Sequence, residues 1–134
     1  MKGAVSSVKD VMRHDKLVTA TPGERVIDAV RKMYENNVGS VLVVSREGRL
    51  VGIFTERDLV KVVAEGVPLD TRLDKVMSRD LIVAHGDEPI ALAGSKMVER
   101  WIRHMPVVDS EGRPVGIISI RDVLRSLLSS STFP

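Results

Sequence analysis

Two short segments carry the residues with the clearest chemical potential. Residues 52–58 read Gly-Ile-Phe-Thr-Glu-Arg-Asp, and residues 116–122 read Gly-Ile-Ile-Ser-Ile-Arg-Asp. Each segment has a hydroxyl residue three positions before an aspartate: Thr55 and Asp58, and Ser119 and Asp122. Both segments lie where an apolar run ends and a helical pattern begins. We therefore expect each hydroxyl at the N-cap of a helix and each aspartate at the third helical position.

Such a pair has two possible uses. In a helix cap, the hydroxyl satisfies a free backbone N–H and the acid complements the positive helix end. In a ligand site, the helix N-terminus and the hydroxyl would bind a phosphate, and the carboxylate would accept from two adjacent ribose hydroxyls. The preceding glycine would let a ligand approach the backbone closely. A single copy favours the cap, whereas two copies favour a site for a ribose that carries a phosphate.

The duplication extends over most of the chain. Residues 17–60 align with residues 81–124 without a gap, and about seventeen of roughly 44 pairs are identical, against roughly 6% for random pairing. Upstream, Val11 and Met12 correspond to Val76 and Met77 after a one-residue shift. A repeat of this length is too long for a solenoid unit and predicts a pseudo-symmetric pair. We place the first copy at residues 1–68 and the second at 69–134.

One copy reads as strand, helix, strand, strand, helix. Thr21, Pro22 and Glu24 form a good helix start, so the first copy predicts a helix over residues 22–37; the second helix is expected to begin near residues 87–89. The remaining predictions are short leading strands at 17–19 and 81–83, buried strands at 41–44 and 105–108, and returning strands at 50–54 and 114–118. Turns with left-handed glycines at Gly48 and Gly112 would join the last two strands of each copy. The fold class is therefore α+β, with two βαββα repeats packed through their sheets.

Composition excludes several function classes. The net charge is only +2 and aromatic residues make up 3% of the chain, which argues against nucleic-acid binding. There is no cysteine, and no paired acid–base constellation or phosphate loop suggests an enzyme. The three histidines are not spaced as metal ligands. No apolar stretch is long enough for a membrane span and no secretory signal is evident, so we expect a cytoplasmic protein.

The duplicated motif resembles that of tandem CBS (cystathionine-β-synthase) domains, a pair known as a Bateman module. The resemblance rests on the two G-h-h-[ST]-x-x-D segments, where h is apolar, on the upstream Val-Met pairs and on the buried-strand segments at 39–44 and 103–109. It covers nearly the whole chain. It implies a non-catalytic regulatory module that binds AMP, ADP, ATP or S-adenosylmethionine in two clefts.

The resemblance also implies roles for individual residues. Asp58 and Asp122 would hold the ribose diol, and Thr55 and Ser119 would contact phosphate. One cleft would combine Thr55 and Asp58 with Ile82, Val83 and Ala84, and the other would combine Ser119 and Asp122 with Val18, Thr19 and Ala20. Arg103 and His104 would contact phosphate. The first copy has Gly39 and Ser40 at their positions, so we expect unequal clefts.

Three readings of the function remain open at this point. The first is a sensor of an adenine nucleotide, AMP above all and also ADP or ATP, with no other cofactor or metal. The second is a sensor of an S-adenosylmethionine-type ligand. The third is a protein-interaction scaffold whose clefts are vestigial and whose motif residues only cap helices. The resemblance further implies a homodimer and a regulated protein partner of unknown identity.

Overall fold

A computed structural model of the chain describes residues 6–15 and 17–129. These residues fall into two compact units. The continuous unit consists of residues 18–81, and the divided unit combines the described residues before Val18 with those from Ile82 on. Each unit contains both helices and strands, which confirms the mixed α and β class.

The continuous unit is built on a three-stranded sheet. Its elements are β1 (Thr19–Ala20), α2 (Val26–Asn36), β2 (Ser40–Val44), β3 (Leu50–Thr55) and α3 (Glu56–Ala64). The strand order is β1-β2-β3, with β1 parallel and β3 antiparallel to β2. Gly48 turns between β2 and β3 with a φ of 84°, as predicted, because glycine adopts this left-handed conformation without a steric penalty.

The divided unit repeats this order with one strand fewer. It contains α1 (Val8–Val11), α4 (Ile90–Arg100), β4 (His104–Val108), β5 (Pro114–Ser119) and α5 (Ile120–Ser129). Strands β4 and β5 pair antiparallel, and Gly112 turns between them with a φ of 80°. The strand predicted at residues 81–83 is wrong: only Ala84 pairs, in a single parallel bridge with Val107.

Helix α2 begins four residues later than the sequence predicted. Thr21 and Glu24 instead close a turn, in which the Glu24 N–H donates to the Thr21 carbonyl over 3.1 Å. The next residue, Arg25, is extended and bridges Arg72. The helical N–H of Val26 donates to the Thr71 carbonyl over 2.9 Å. The chain from residue 69 on therefore supplies partners to the helix start, and a helix from residue 22 would remove them.

Each unit includes a short helical turn that comes, in the sequence, just before the strands and helices of the other unit. Helix α1 packs against β5 and α5 of the divided unit, and a 3-10 turn over Leu73–Lys75 belongs to the continuous unit. A methionine follows each turn and packs on a motif glycine: a Cβ built on Gly52 would lie 2.5 Å from the Met77 sulfur, and Met12 lies in the same way on Gly116. The expectation that these glycines admit a ligand is therefore wrong, because the methionine side chains fill that space.

Both units have aliphatic cores of their own. Met33 and Met97, at equivalent positions of α2 and α4, are both buried. The largest fully buried side chains are Phe54, Leu42 and Leu73 in the continuous unit, and Ile90, Met97, Met105 and Ile118 in the divided unit. The cores hold the ends of β3 and β5 in place, which is where the two acid motifs lie.

Candidate functional site

The first acid motif lies at the junction of β3 and α3. The Thr55 N–H donates to Asp58 Oδ2 over 2.9 Å, and the Asp58 N–H donates to Thr55 Oγ1 over 3.3 Å. Thr55 is the N-cap of α3 and Asp58 is its third residue, as the sequence predicted. Both side chains are half-buried. The motif is thus a complete helix cap that also leaves its hydroxyl and carboxylate at a partly exposed helix N-terminus.

Ser78 is a residue of this motif that the sequence analysis missed. Its hydroxyl donates to Asp58 Oδ1 over 2.9 Å. Its backbone is fixed by two hydrogen bonds with Ile53, the N–H of each residue donating to the carbonyl of the other over 2.9 and 3.0 Å. The available sequence signal was weak: Ser78 directly follows Met77, the methionine that packs on Gly52.

The second motif repeats the cap at the junction of β5 and α5. The Ser119 N–H donates to Asp122 Oδ2 over 2.9 Å, and the Asp122 N–H donates to Ser119 Oγ over 3.1 Å. His104 lies opposite Ser119 in the β4–β5 register, and the Ile120 N–H donates to the Arg103 carbonyl over 3.0 Å. Arg103 is exposed and His104 is half-buried. This unit therefore combines an acid motif with two potentially cationic side chains.

The leading segments are held by a lysine in each unit. Lys32 Nζ donates to the Thr19 carbonyl over 2.7 Å, and Lys96 Nζ donates to the Val83 carbonyl over 3.2 Å. Each lysine also pairs with a glutamate that precedes its helix, Glu24 at 2.8 Å and Glu88 at 2.9 Å. Sequence reasoning missed both lysines and used Glu24 only as part of a helix start, although both pairs are identical at the 64-residue offset.

The electrostatics of the Lys32 pair follow from its contacts. Burial of Glu24 disfavours its charged form, but hydrogen bonds from Lys32 and from the Thr21 N–H outweigh that effect and lower the pKa of Glu24. The glutamate is therefore charged near neutral pH. A charged glutamate keeps Lys32 in place and so keeps the outward carbonyl of β1 occupied.

The predicted site residues are divided between the units. The continuous unit holds Val18, Thr19, Ala20, Thr55 and Asp58; the divided unit holds Ile82, Val83, Ala84, Arg103, His104, Ser119 and Asp122. Each unit therefore brings one acid motif together with one leading segment and its lysine. The predicted crossed combinations of motif and leading segment draw on both units and stay predictions.

Within residues 6–15 and 17–129, no group of three or more His, Asp or Glu side chains could hold a metal ion. Across the same residues, no helix is long and apolar enough to cross a membrane.

Comparison with known proteins gives one family for both copies. The sequence model of the CBS domain matches residues 8–65 and 73–129. An uncharacterized 17.7 kDa protein of Acidianus ambivalens is 36% identical over 117 residues, which are 87% of this chain and 71% of that protein. L-aspartate semialdehyde sulfurtransferase of Methanosarcina acetivorans is 36% identical over 92% of this chain, but the match covers only 24% of that enzyme.

Solved structures with the same fold include ligand complexes. The CBS domain pair of protein MJ0100, in complex with 5'-methylthioadenosine and S-adenosyl-L-methionine, superposes with a TM-score of 0.88 at 30% identity, covering 96% of this chain and all (100%) of that one. A CBS domain protein of Pyrobaculum aerophilum complexed with AMP has a TM-score of 0.83 at 25% identity and covers 92% of this chain and 98% of its own.

Proposed function

The chain belongs to the CBS-domain family, and on this premise we propose that it is a regulatory module that binds an adenosine-containing ligand. The observation that carries the proposal is the repeated acid motif. In both units a hydroxyl residue and an aspartate stand at the start of a helix with their side chains half-buried. A helix N-terminus favours phosphate, and a carboxylate one turn away suits a ribose diol.

We assign roles to the residues accordingly. Asp58 and Asp122 accept from ribose hydroxyls, and Thr55 and Ser119 contact the phosphate. The leading segments, residues 18–20 and 82–84, recognise the base through backbone groups and apolar packing.

AMP is the ligand that we propose first, with ADP and ATP as variants of it. Arg103 and His104 favour a ligand with a phosphate, because a guanidinium group and an imidazole N–H can donate hydrogen bonds to phosphate oxygens. The complex of the Pyrobaculum aerophilum relative with AMP supports the same choice. A second candidate is an S-adenosylmethionine-type ligand, as in the MJ0100 complex.

Isothermal titration calorimetry of the purified chain tests the proposal directly. We expect saturable binding of AMP, and we expect Asp58→Asn and Asp122→Asn each to weaken one binding event about tenfold to a hundredfold, the range for a hydrogen bond to a charged group. Stronger binding of S-adenosylmethionine than of AMP would favour the second candidate. If none of AMP, ADP, ATP, S-adenosylmethionine and 5'-methylthioadenosine binds, the motifs are caps only and the scaffold reading replaces this one.

The chain contains its own control for the helix cap. The Ser7 N–H donates to Asp10 Oδ2 over 2.9 Å, and the Ser7 hydroxyl donates to the same oxygen over 3.1 Å. Asp10 thus accepts from the same two groups of its N-cap residue as Asp58 does, but this cap lies outside both motifs. Asp10→Asn should therefore remove a helix cap and lower stability slightly, without weakening AMP binding.

Partners and location remain part of the proposal. A homodimer is supported by apolar side chains that are exposed on α3 and α5, namely Val60, Val63, Leu124 and Leu128; analytical ultracentrifugation measures the assembly state. A regulated protein would bind one conformation of the module preferentially, and the ligand would set the population of that conformation. A cytoplasmic location stays a prediction from the sequence. Because the enzymes among the relatives are about four times longer than their match, their activities do not transfer to this chain.

A further inference from the structure

The carboxylate of Asp58 is nearly saturated by hydrogen bonds within its own unit. Its Oδ2 accepts from the Thr55 N–H at 2.9 Å and from the Thr55 hydroxyl at 3.2 Å, and its Oδ1 accepts from the Ser78 hydroxyl at 2.9 Å. A carboxylate offers about four acceptor positions. Three are therefore occupied, and a ribose diol needs two.

The carboxylate of Asp122 is far less occupied. Among the described residues, its oxygens accept a single hydrogen bond, from the Ser119 N–H at 2.9 Å. Roughly three acceptor positions remain, by the same count of about four per carboxylate. The two aspartates thus differ in what they can offer a ligand, although both accept from the backbone N–H of their N-cap residue.

The difference comes from the hydroxyls of Thr55 and Ser78 and not from the backbone, and only the Ser78 hydroxyl occupies Asp58 Oδ1. Arg13 holds the position in the divided unit that Ser78 holds in the continuous unit, because its N–H donates to the Ile117 carbonyl over 2.8 Å and its carbonyl accepts from the Ile117 N–H over 3.0 Å. These two bonds copy those between Ser78 and Ile53. The Arg13 side chain is exposed, and within the described part of the chain no hydrogen bond joins it to Asp122.

We propose that Ser78 sets the ligand affinity of the Asp58 motif by competing with the vicinal hydroxyls of a ribose for Asp58 Oδ1. The inference rests on the proposed function and adds the order in which the two motifs bind ligand. A ligand with a 2',3'-diol binds the Asp122 motif first and the Asp58 motif at higher concentration, where it must displace the Ser78 hydroxyl. A ligand with a single ribose hydroxyl needs only the free acceptor position and does not compete with Ser78.

The test isolates each motif by disabling the other. In an Asp122→Asn background, Ser78→Ala should tighten the binding of AMP about threefold to tenfold, because the competing hydroxyl donor to the carboxylate is gone. The same substitution should tighten the binding of 2'-deoxy-AMP much less. If Ser78 had a purely structural role, Ser78→Ala would change the affinity for both ligands by a similar factor. Ser78→Ala leaves both backbone bonds to Ile53 in place, and a thermal unfolding scan checks that the fold is retained.

The reciprocal experiment introduces the competitor at Asp122. In an Asp58→Asn background, Arg13→Ser and Arg13→Ala remove the same charge, but only Arg13→Ser supplies a hydroxyl at the position of Ser78. We expect 5'-methylthioadenosine, which has the diol and no phosphate, to bind Arg13→Ser about threefold more weakly than Arg13→Ala, the effect of one modest hydrogen bond.

The outcomes separate this inference from the proposed function. One outcome overturns the inference and leaves the proposed function standing. In it, the wild-type chain binds AMP, and adding Ser78→Ala to Asp122→Asn does not tighten AMP binding. Absence of binding in both of these variants also overturns the inference. Absence of binding of any adenosine-containing ligand by the wild-type chain overturns both.

Discussion

Single residues distinguish a helix cap from a ligand site in this chain. In the cap at Ser7 and Asp10 and in the cap at Thr55 and Asp58, the aspartate accepts from the N–H and the hydroxyl of the N-cap residue at nearly the same distances. Cap geometry alone therefore carries no functional information. What separates them is the setting: Asp10 is exposed, whereas Asp58 is half-buried in the first turn of α3 and accepts a further bond from Ser78.

The motif glycines illustrate where sequence reasoning failed at this scale. Glycine before a helix start suggested a close approach of ligand, but Met77 and Met12 fill the space beside Gly52 and Gly116. The two methionines were recognised in the sequence as a repeated feature, and nothing in the sequence connected them to the glycines. Such a contact joins residues that lie 25 positions apart or more, so only the folded chain reveals it.

Gly52→Ala should destabilise the continuous unit. The new Cβ would lie 2.5 Å from the Met77 sulfur, and displacing a packed side chain in this way costs about 1–3 kcal/mol. Urea unfolding measures the loss. In a Met77→Ala background the same substitution should cost clearly less, because the obstructing side chain is gone; equal costs in both backgrounds would show that Met77 is not the cause.

Secondary-structure elements were predictable where the apolar pattern and the turn chemistry agree. The hairpins β2–β3 and β4–β5 and the starts of α3 and α5 lie within a residue of their predicted bounds. The start of α2 was not predictable from local signals: the Thr21–Glu24 pattern is a valid cap in sequence, but partners at Thr71 and Arg72 select a later start. The leading segment at 81–83 pairs too little to count as a strand, because Pro106 stands at the position of Leu42, whose N–H donates to the Val18 carbonyl, and proline has no N–H to donate.

The observed start of α2 predicts an acid-sensitive contribution to stability. The Arg25 side chain and then the Arg25 N–H donate to the Asp28 carboxylate and lower its pKa from 3.8 to about 2. A carboxylate with a depressed pKa stabilises the fold above its unfolded-state pKa and loses that effect as the pH falls towards its folded-state pKa. We therefore expect stability to decline as the pH falls from about 4 to about 2, the interval between these two pKa values.

Two variants check this prediction. Asp28→Asn should flatten the decline over that pH interval in chemical denaturation, because the titrating group is gone. Arg25→Gln should raise the pKa of Asp28 in an NMR titration, because the side-chain donor is its largest cause. If the stability of Asp28→Asn declines with falling pH as that of the wild type does, other carboxylates cause the decline.

At the scale of the whole molecule, the sequence copies and the compact units do not coincide. The family match divides the chain near residue 70, whereas the continuous unit runs to Leu81. The added segment is integral to that unit: Leu73 is fully buried in its core, and the Leu73 N–H donates to the Glu24 carbonyl over 2.7 Å. Repeat alignment locates the copies but cannot tell which copy a connecting segment packs on.

This mismatch predicts how fragments of the chain will behave. A fragment of residues 1–68 lacks Leu73, Met77 and the partners of the α2 start, and loss of one buried leucine alone costs about 2–5 kcal/mol, close to the whole stability of a small unit. A fragment of residues 18–81 retains all of them. We expect a cooperative thermal transition by circular dichroism for fragment 18–81 and none for fragment 1–68. Leu73→Ala in fragment 18–81 should abolish the transition; a fragment 1–68 that unfolds as cooperatively as 18–81 would place the boundary at the repeat instead.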